Sequence, residues 1–156
     1  FVFQEPMTAL NPTARIGEQI ALASRVRDRV GRRAAQAAAL ELMDDVGIPD
    51  PARRARMWPH ELSGGLRQRA MIAIALSSNP KVLLCDEPTG ALDSATGVVV
   101  LEVLEKVNRE LGTLTVLITH NAGIADMADR VISLSDGRIA DIHANAAKKT
   151  AHELSW

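Results

Sequence analysis

Aromatic residues, cysteine and long apolar runs are scarce in this sequence. It contains two Phe, two Trp, no Tyr and a single Cys, which excludes a disulfide within the chain and indicates a reducing compartment. No stretch approaches the roughly 18 consecutive apolar residues of a membrane-spanning helix. The phosphate-binding pattern G-x-x-x-x-G-K-[ST] is also absent, which excludes that means of holding nucleotide phosphates within these 156 residues.

What is present is typical of one globular domain. Apolar residues make up 47% and charged residues 24% of the chain, proportions that allow a buried core. The formal net charge of -1 argues against a sequence-independent nucleic-acid binder, which usually carries a basic face. Cys85 lies in an apolar run and is predicted to be a buried core residue. Two arginine clusters are interpreted as solvated surface: Arg29, Arg32 and Arg33, and Arg53, Arg54 and Arg56.

The first half of the chain is predicted to be mainly helical, and the second half to alternate strands and helices. Apolar spacing and composition predict the helices, prolines predict the irregular stretches, and apolar runs predict strands buried on both faces. This order indicates an α/β fold, with an open, mostly parallel sheet and a helical insert. The predicted elements are a strand at Phe1–Phe3, a loop at Gln4–Pro12, helices at Ile16–Arg29 and Arg32–Val46, a connector at Pro49–Pro59, a helix at Ser63–Leu76, a strand at Val82–Cys85, a helix at Val98–Leu111, a strand at Thr115–Thr119, a helix at Ala122–Ala128, and strands at Val131–Leu134 and Ile139–Ile142 joined by an Asp136-Gly137 turn.

Two adjacent carboxylates follow the strand predicted at Val82–Cys85. Ligands of open α/β sheets bind at the carboxyl ends of the strands, so Asp86 and Glu87 are candidate site residues. Asp86 is suited to hold Mg²⁺, directly or through water, and Glu87 to accept the proton of an attacking water. Taken alone, the two acids are equally consistent with a solvated strand end.

A glycine-rich helix start lies upstream of these acids, in the segment 62–69 with the sequence LSGGLRQR. Glycine lets a backbone approach an anion closely, Ser63 supplies a hydroxyl, and the following helix directs free N–H groups at the same place. The segment is therefore a candidate anion site. Taken alone, Ser63-Gly64-Gly65 is equally consistent with a simple helix cap.

Four motifs follow one another in a fixed order along the chain. They are Ser63-Gly64-Gly65 followed by Arg-Gln-Arg, the apolar strand ending in Asp86-Glu87-Pro88-Thr89, Ala91-Leu92-Asp93, and Thr119-His120. In order and spacing they resemble the ATPase subunits of ABC transporters over nearly the whole chain. The resemblance implies a P-loop NTPase-like fold that is truncated at the N-terminus of this chain.

The resemblance also implies roles at a composite ATP site. Ser63, Gly64 and Gly65 match the signature motif, which contacts the γ-phosphate of ATP bound to the partner subunit. Leu66 departs from the commonest form of this motif, which has Gln at that place. Asp93 matches the loop aspartate that crosses the dimer interface, although outside the family it would be interpreted as a turn or cap residue.

Four further residues match the family's hydrolytic machinery. Asp86 resembles the magnesium-site acid, and Glu87 resembles the general base. His120 resembles the switch histidine that positions the γ-phosphate and the water; without the family it would be interpreted as a surface histidine. Gln4 resembles the loop glutamine that senses Mg²⁺ and couples to the membrane subunit.

The implied cofactors are ATP and Mg²⁺. The implied partners are integral membrane permease subunits and a second ATPase subunit, in a homo- or heterodimer, with no nucleic acid. The implied location is the cytoplasmic face of the cell membrane, as a peripheral subunit. On this interpretation the chain comprises a glutamine loop at 1–12, a helical subdomain with the signature motif at 13–80, the C-terminal part of the ATPase sheet at 81–142 and a tail at 143–156.

In this family the phosphate-binding loop precedes the glutamine loop. We therefore expect the chain to be a fragment, with about half of the ATPase domain lying before Phe1 in its parent. Without the lysine and backbone N–H groups of that loop, the β- and γ-phosphates lose most of their charge stabilisation. We expect this stretch alone to hydrolyse ATP negligibly and to be poorly soluble, because its sheet would expose apolar edges.

The motifs resemble two subfamilies. Segments 4–12 and 59–69 resemble dipeptide and oligopeptide importer ATPases, whereas segments 89–94, 119–121, 136–139 and 153–156 resemble the lipoprotein-release and macrolide-export group. The loop around Gln4 faces the membrane subunit in this family, so peptide import is favoured. The alternatives are an export or lipoprotein-release ATPase, a soluble superfamily member acting in DNA repair or translation, and a non-catalytic fragment that docks to a membrane partner.

Overall fold

The computed structural model of the protein describes residues 1–154. The chain divides into two compact units, Phe1–Ile118 and Thr119–Trp156, and each contains its own two-stranded sheet. Of the segment 153–156, residues 155 and 156 lie outside the described residues. In the first unit the elements are α1 (Pro6–Ala9), α2 (Ile16–Asp28), α3 (Arg32–Asp45), α4 (Pro51–Arg54), a 3₁₀ turn at Pro59–Glu61, α5 (Gly64–Leu76), β1 (Val82–Asp86), α6 (Ser94–Leu111) and β2 (Leu114–Ile118).

The helices α2, α3 and α5 confirm the helical first half, and they pack against one another. Apolar residues four positions apart lie on one face of a helix, and in α3 the residues Ala35, Ala39 and Met43 are all buried. Close packing also depends on Gly17 in α2, because a Cβ there would lie 2.7 Å from the Cβ of Ala55. The three helices therefore form a compact helical layer around fully buried apolar side chains.

Two stretches predicted to be irregular contain single helical turns. The loop at 4–12 includes α1, and the connector at 49–59 includes α4. Each turn has a proline near its first position, Pro6 in α1 and Pro51 in α4. Proline suits that position because its φ angle is already close to helical and its missing N–H group would have no helical partner. The prolines thus begin short helices instead of excluding them.

The parallel sheet is confirmed, but the prediction that its strands are buried on both faces is wrong. β1 pairs with β2 in parallel from Val82↔Leu114 to Asp86↔Ile118, and Val2 forms a parallel bridge to Cys85 on the other side of β1. Alternate residues are exposed, with 52% for Val82 and 58% for Leu114. Side chains of a strand point alternately to opposite faces, and α6, which contacts β2, does not cover this face.

The second unit confirms the predicted hairpin. β3 (Arg130–Ser135) and β4 (Arg138–Ala144) pair antiparallel, with a register shift at Ser133/Leu134. Both turn residues, Asp136 and Gly137, have positive φ angles, as a two-residue hairpin turn of the favoured hand requires. The strand predicted at Val131–Leu134 is therefore not a parallel strand of the main sheet, because β3 pairs with β4 in a separate sheet.

Short 3₁₀ segments flank the hairpin. Ala122–Met127 lies where a short helix was predicted at 122–128, and Ala151–Glu153 lies in the tail at 143–156. The longest helix of the described chain is α6, with 18 residues. Neither it nor any other helix within residues 1–154 combines the length and the apolar character needed to cross a membrane.

Candidate functional site

The acids Asp86 and Glu87 lie at the carboxyl end of the central strand β1. The N–H group of Asp86 donates to the carbonyl of Val2 at 2.8 Å, and that of Glu87 donates to the carbonyl of Ile118 at 2.9 Å. Glu87 has a φ of +43°, a left-handed conformation that costs a non-glycine residue roughly 1–2 kcal/mol. The chain therefore turns sharply at Glu87, and both carboxylates lie half-buried at the sheet edge.

Gln4 and Glu87 border the same small space. A Cβ added to Gly90 would lie 3.0 Å from Nε2 of Gln4 and 3.4 Å from the Cβ of Glu87. The turn is closed by the N–H group of Gly90, which donates to the carbonyl of Glu87 at 3.0 Å. The absence of a side chain at Gly90 thus lets the amide of Gln4 approach the end of β1.

The glycine-rich helix start forms a second part of the site. α5 begins at Gly64 with Ser63 as its N-cap residue, and the Ser63 side chain makes no capping hydrogen bond. The first N–H groups of a helix have no intrahelical partner, so they and the Ser63 hydroxyl are available to an anion. Gly65 is buried, and a Cβ there would lie only 2.2 Å from Cγ2 of Thr96.

Asp93 is the N-cap of α6, and its cap explains why that helix begins four residues earlier than the predicted Val98. The carboxylate of Asp93 accepts hydrogen bonds from the N–H group of Thr96 at 3.0 Å and from its hydroxyl at 2.7 Å. These bonds, the N–H bond first, lower the pKa of Asp93 below its ordinary value. They also orient the Thr96 methyl group towards Gly65.

Two arginines of α5 hold the start of that helix in place. Arg67 donates from Nε to the carbonyl of Pro59 at 2.8 Å. Arg69 donates to the carbonyl of Gly47 through Nη1 and to that of Gly65 through Nε, the latter at 3.4 Å. Burial, followed by the nearby charge of Arg54, lowers the pKa of Arg69. The glycine-rich start is thereby tied to the ends of the neighbouring helices.

A family model described as ABC transporter matches residues 1–90. The chain belongs to the ABC transporter family. Relatives include a putative peptide import ATP-binding protein of Brucella melitensis, 51% identical over 141 residues that cover 90% of this chain and 42% of that protein. The oligopeptide transport ATP-binding protein OppD of Bacillus subtilis is 43% identical over 141 residues, which cover 90% of this chain and 39% of OppD.

Solved structures agree with this assignment. The ATP-binding cassette MJ0796, in a dimeric post-hydrolysis state bound to ADP and Pi, superposes with a TM-score of 0.79 at 32% identity, covering 94% of this chain and 63% of that one. The structure of cbiO1 from Clostridium perfringens, part of the ABC transporter complex cbiONQ, gives a TM-score of 0.80 at 26% identity, covering 92% of this chain and 55% of that one. This chain thus spans about two fifths of the length of the two curated relatives, and 63% and 55% of the length of the two solved structures.

His120 belongs to the second unit, and its predicted role in the ABC site stays a prediction. It precedes Asn121, whose N–H group donates to the Thr119 hydroxyl at 3.1 Å. The Asn121 side chain in turn accepts from the N–H group of Gly123 at 2.9 Å. These bonds fix the turn on which His120 lies.

The residues at the end of β1 fit a magnesium ion held with nucleotide phosphates. Within residues 1–154 no group of three or more His, Cys, Asp or Glu side chains could form a metal cage. Magnesium is usually held by one or two carboxylates together with phosphates, and not by a dedicated protein cage. Asp86 provides such a carboxylate.

Cys85 is confirmed as a core residue, since it is fully buried and burial raises its pKa to about 12.

Sequence reasoning missed two residues of this region. Gln68 is 1% exposed and donates from Nε2 to the carbonyl of Phe3 at 3.1 Å. Thr96 links Asp93 to Gly65, as described above. No sequence pattern singled out Gln68, because it lies between Arg67 and Arg69 and has the appearance of one more polar residue in the helix start. No sequence pattern indicated that Thr96 faces the signature glycines.

Proposed function

We propose that this chain is part of the ATP-binding subunit of an ABC importer for peptides. The family assignment supports the ATPase, and relatives named for peptide, oligopeptide and dipeptide transport support the substrate class. In the complete subunit, two ATPase domains form a dimer on permease subunits at the cytoplasmic face of the membrane. The dimeric state of MJ0796 supports the pairing.

One observation carries the hydrolytic part of the proposal. The Gln4 amide and the Cβ of Glu87 both lie beside Gly90, directly after the strand that ends in Asp86. A carboxylate for the ion, a carboxylate for the proton and an amide for positioning are the groups that phosphoryl transfer to water requires. They come from two chain segments that only the fold brings together.

Each residue at this edge has a distinct task. Asp86 would hold Mg²⁺, which when bound neutralises charge on the phosphates. Glu87 accepts the proton of the attacking water, and its fixed backbone turn orients the carboxylate. Gln4 brings its amide to the same place. The resemblance of His120 to the switch histidine supports a role in positioning the water and the terminal phosphate.

The helix start serves the nucleotide of the partner subunit. The Ser63 hydroxyl and the first N–H groups of α5 bind phosphate oxygens, because the helix N-terminus carries a partial positive charge. Gly64 and Gly65 keep side chains out of this approach. Asp93 lies at the same surface and crosses to the partner. These 156 residues contain no lysine-bearing phosphate loop, so we propose that this stretch alone is inactive.

The hydrolytic proposal is tested in the complete subunit by Glu87→Gln. Loss of a positioned base typically costs about 10²–10⁴-fold in rate, whereas ATP binding should persist. Glu105→Gln is the matched control, because it makes the same change on the outer part of α6 and should leave turnover unchanged. Phosphate release from [γ-³²P]ATP measures both variants. Full turnover in the Glu87→Gln variant would exclude Glu87 as the base.

The signature role has its own test in Ser63→Arg. A long cationic side chain at the helix cap would occupy the space of the phosphate, so turnover should fall although the subunit still folds. Assembly of the nucleotide-dependent dimer, followed by light scattering, should be lost in the same variant. Unchanged dimerisation would place the anion-binding surface elsewhere.

Peptide import is tested against the alternative substrate classes. The resemblance of the C-terminal segments to release and export ATPases rests on their motifs alone. Transport by the complete complex in vesicles, measured with labelled di- and oligopeptides and with a macrolide, separates the two directions. Stimulation of ATP turnover by peptide presented on the external side supports import, and stimulation by macrolide alone would favour export.

A further inference from the structure

Gln68 is a buried amide of α5 that lies between two arginines, Arg67 and Arg69. Gln68 is 1% exposed, whereas both arginines are half-buried. A buried amide that lacks a hydrogen bond costs a few kcal/mol. Its Nε2 donates to the carbonyl of Phe3 at 3.1 Å, across 65 positions of sequence. This bond accounts for an amide at a site where an apolar residue would otherwise pack.

The acceptor lies in the segment that leads directly into Gln4. One residue earlier, Val2 donates to the carbonyl of Leu84 at 2.8 Å and accepts from the N–H group of Asp86 at 2.8 Å. The segment is therefore held by β1 at Val2 and by α5 at Phe3. Gln4 is the next residue, and no hydrogen bond from β1 holds it.

The donor lies in the helix that begins with the signature motif. Gln68 follows Gly64 by four positions, which is about one helical turn. The same helix is tied at its start by Arg67 and Arg69. A displacement of the signature helix is therefore transmitted to the Phe3 carbonyl through this one hydrogen bond, which is partly buried.

We propose that Gln68 is a positioning residue that places Gln4 at the end of β1 and couples its position to that of the signature helix. This inference rests on the proposed ATPase function, and it assigns Gln68 no contact with nucleotide. Without the amide donor, the Phe3 carbonyl loses its partner and the residues after it pivot about Val2. Gln4 then leaves the space beside Gly90 and Glu87.

The first test measures the loop directly by amide hydrogen exchange in the complete subunit. Gln68→Met keeps the length of the side chain and removes the donor. Loss of one hydrogen bond of typical strength should raise exchange in residues 4–10 about fivefold. Asn108→Leu is the matched control, because its amide also donates to a backbone carbonyl, that of Thr113 at 3.0 Å, but on α6. Unchanged exchange in residues 4–10 of the Gln68→Met variant would overturn the inference.

The second test asks whether Gln68 acts through Gln4. Gln68→Met should lower kcat about tenfold or more, since a misplacement of about 1 Å can cost up to a hundredfold, with KM for ATP nearly unchanged. In a Gln4→Ala background the same substitution should have no further effect. Additive losses would overturn the inference, because they would indicate a general structural role. A wild-type complete subunit without ATP turnover would refute the proposed function, while the exchange experiment would still decide the role of Gln68.

Discussion

Substitution of Gly65 by alanine tests whether the signature glycine is required for packing as well as for phosphate access. The added Cβ would lie 2.2 Å from Cγ2 of Thr96, whereas ordinary van der Waals contacts begin at about 3.4 Å. The Thr96 side chain cannot rotate freely, since its hydroxyl donates to Asp93 at 2.7 Å. Gly65→Ala therefore forces α5 and α6 apart or breaks the Asp93 cap.

The expected cost follows from two opposing contributions. Overpacking of a close contact typically destabilises by about 1–3 kcal/mol. Replacing glycine by alanine at a compatible backbone conformation stabilises by about 0.4–1 kcal/mol, because the unfolded chain loses freedom. We expect a net loss of about 1–2 kcal/mol in the free energy of unfolding, measured by urea denaturation and circular dichroism.

Thr96→Ser supplies the matched background for this test. Serine keeps the hydroxyl that bonds to Asp93 and removes only the methyl group, and the nearest remaining atom to the new Cβ is then the Cβ of residue 96 at 3.7 Å. Gly65→Ala should therefore be neutral or slightly stabilising in the Thr96→Ser background. Equal losses in both backgrounds, within the roughly 0.3–0.5 kcal/mol of ordinary additivity, would refute the packing argument. Gly31→Ala, where no atom lies within 4 Å of the new Cβ, controls for the substitution itself.

Three further predictions concern the core and the isolated chain. Burial raises the pKa of the Cys85 thiol from 9.0 to about 12, so the thiol ionises at lower pH in the unfolded chain than in the folded one. The free energy of unfolding should therefore keep its full value below pH 9 and fall between pH 9 and 12 by up to about 1.4 kcal/mol per pH unit. Urea titrations should lose this slope in the Cys85→Ala variant, and an unchanged slope would assign it to other groups. Gly17→Ala should destabilise by about 1–3 kcal/mol in the same assay, since its Cβ would lie 3.0 Å from the backbone carbonyl of Ala55, and a neutral effect would contradict this contact. The chain alone should release no phosphate from Mg²⁺-ATP. Turnover of about 1 s⁻¹, the low end for ordinary enzymes, would contradict its proposed inactivity.

Hydrophobic spacing and turn chemistry were sufficient to predict most local elements. The helix α3 follows from apolar residues at helical spacing, α2 and α5 follow from their helix-forming composition, and the hairpin follows from Asp136-Gly137, because all depend on residues close together in the chain. One-turn helices were missed at Pro6 and Pro51, since proline marks a helix start as readily as a loop. The order of four motifs also predicted the ABC transporter family, which the family model confirmed.

Local periodicity could not predict which faces of the sheet strands are covered. An apolar run has the same composition whether one or both of its faces are buried, and Val82 and Leu114 proved to be exposed. Exposure depends on which helices pack against the strand, and that is a property of the whole unit.

The sequence by itself determined which chemical groups this protein carries and in what order, because motifs and periodicity are local properties of the chain. The tertiary structure alone decided which of these groups meet. Gln4 and Glu87 both lie beside Gly90, Gln68 bonds to the carbonyl of Phe3, and Thr96 packs against Gly65. Each of these contacts joins residues far apart in the chain, and their distances are set by close packing between helices and strands, which no spacing within one segment encodes.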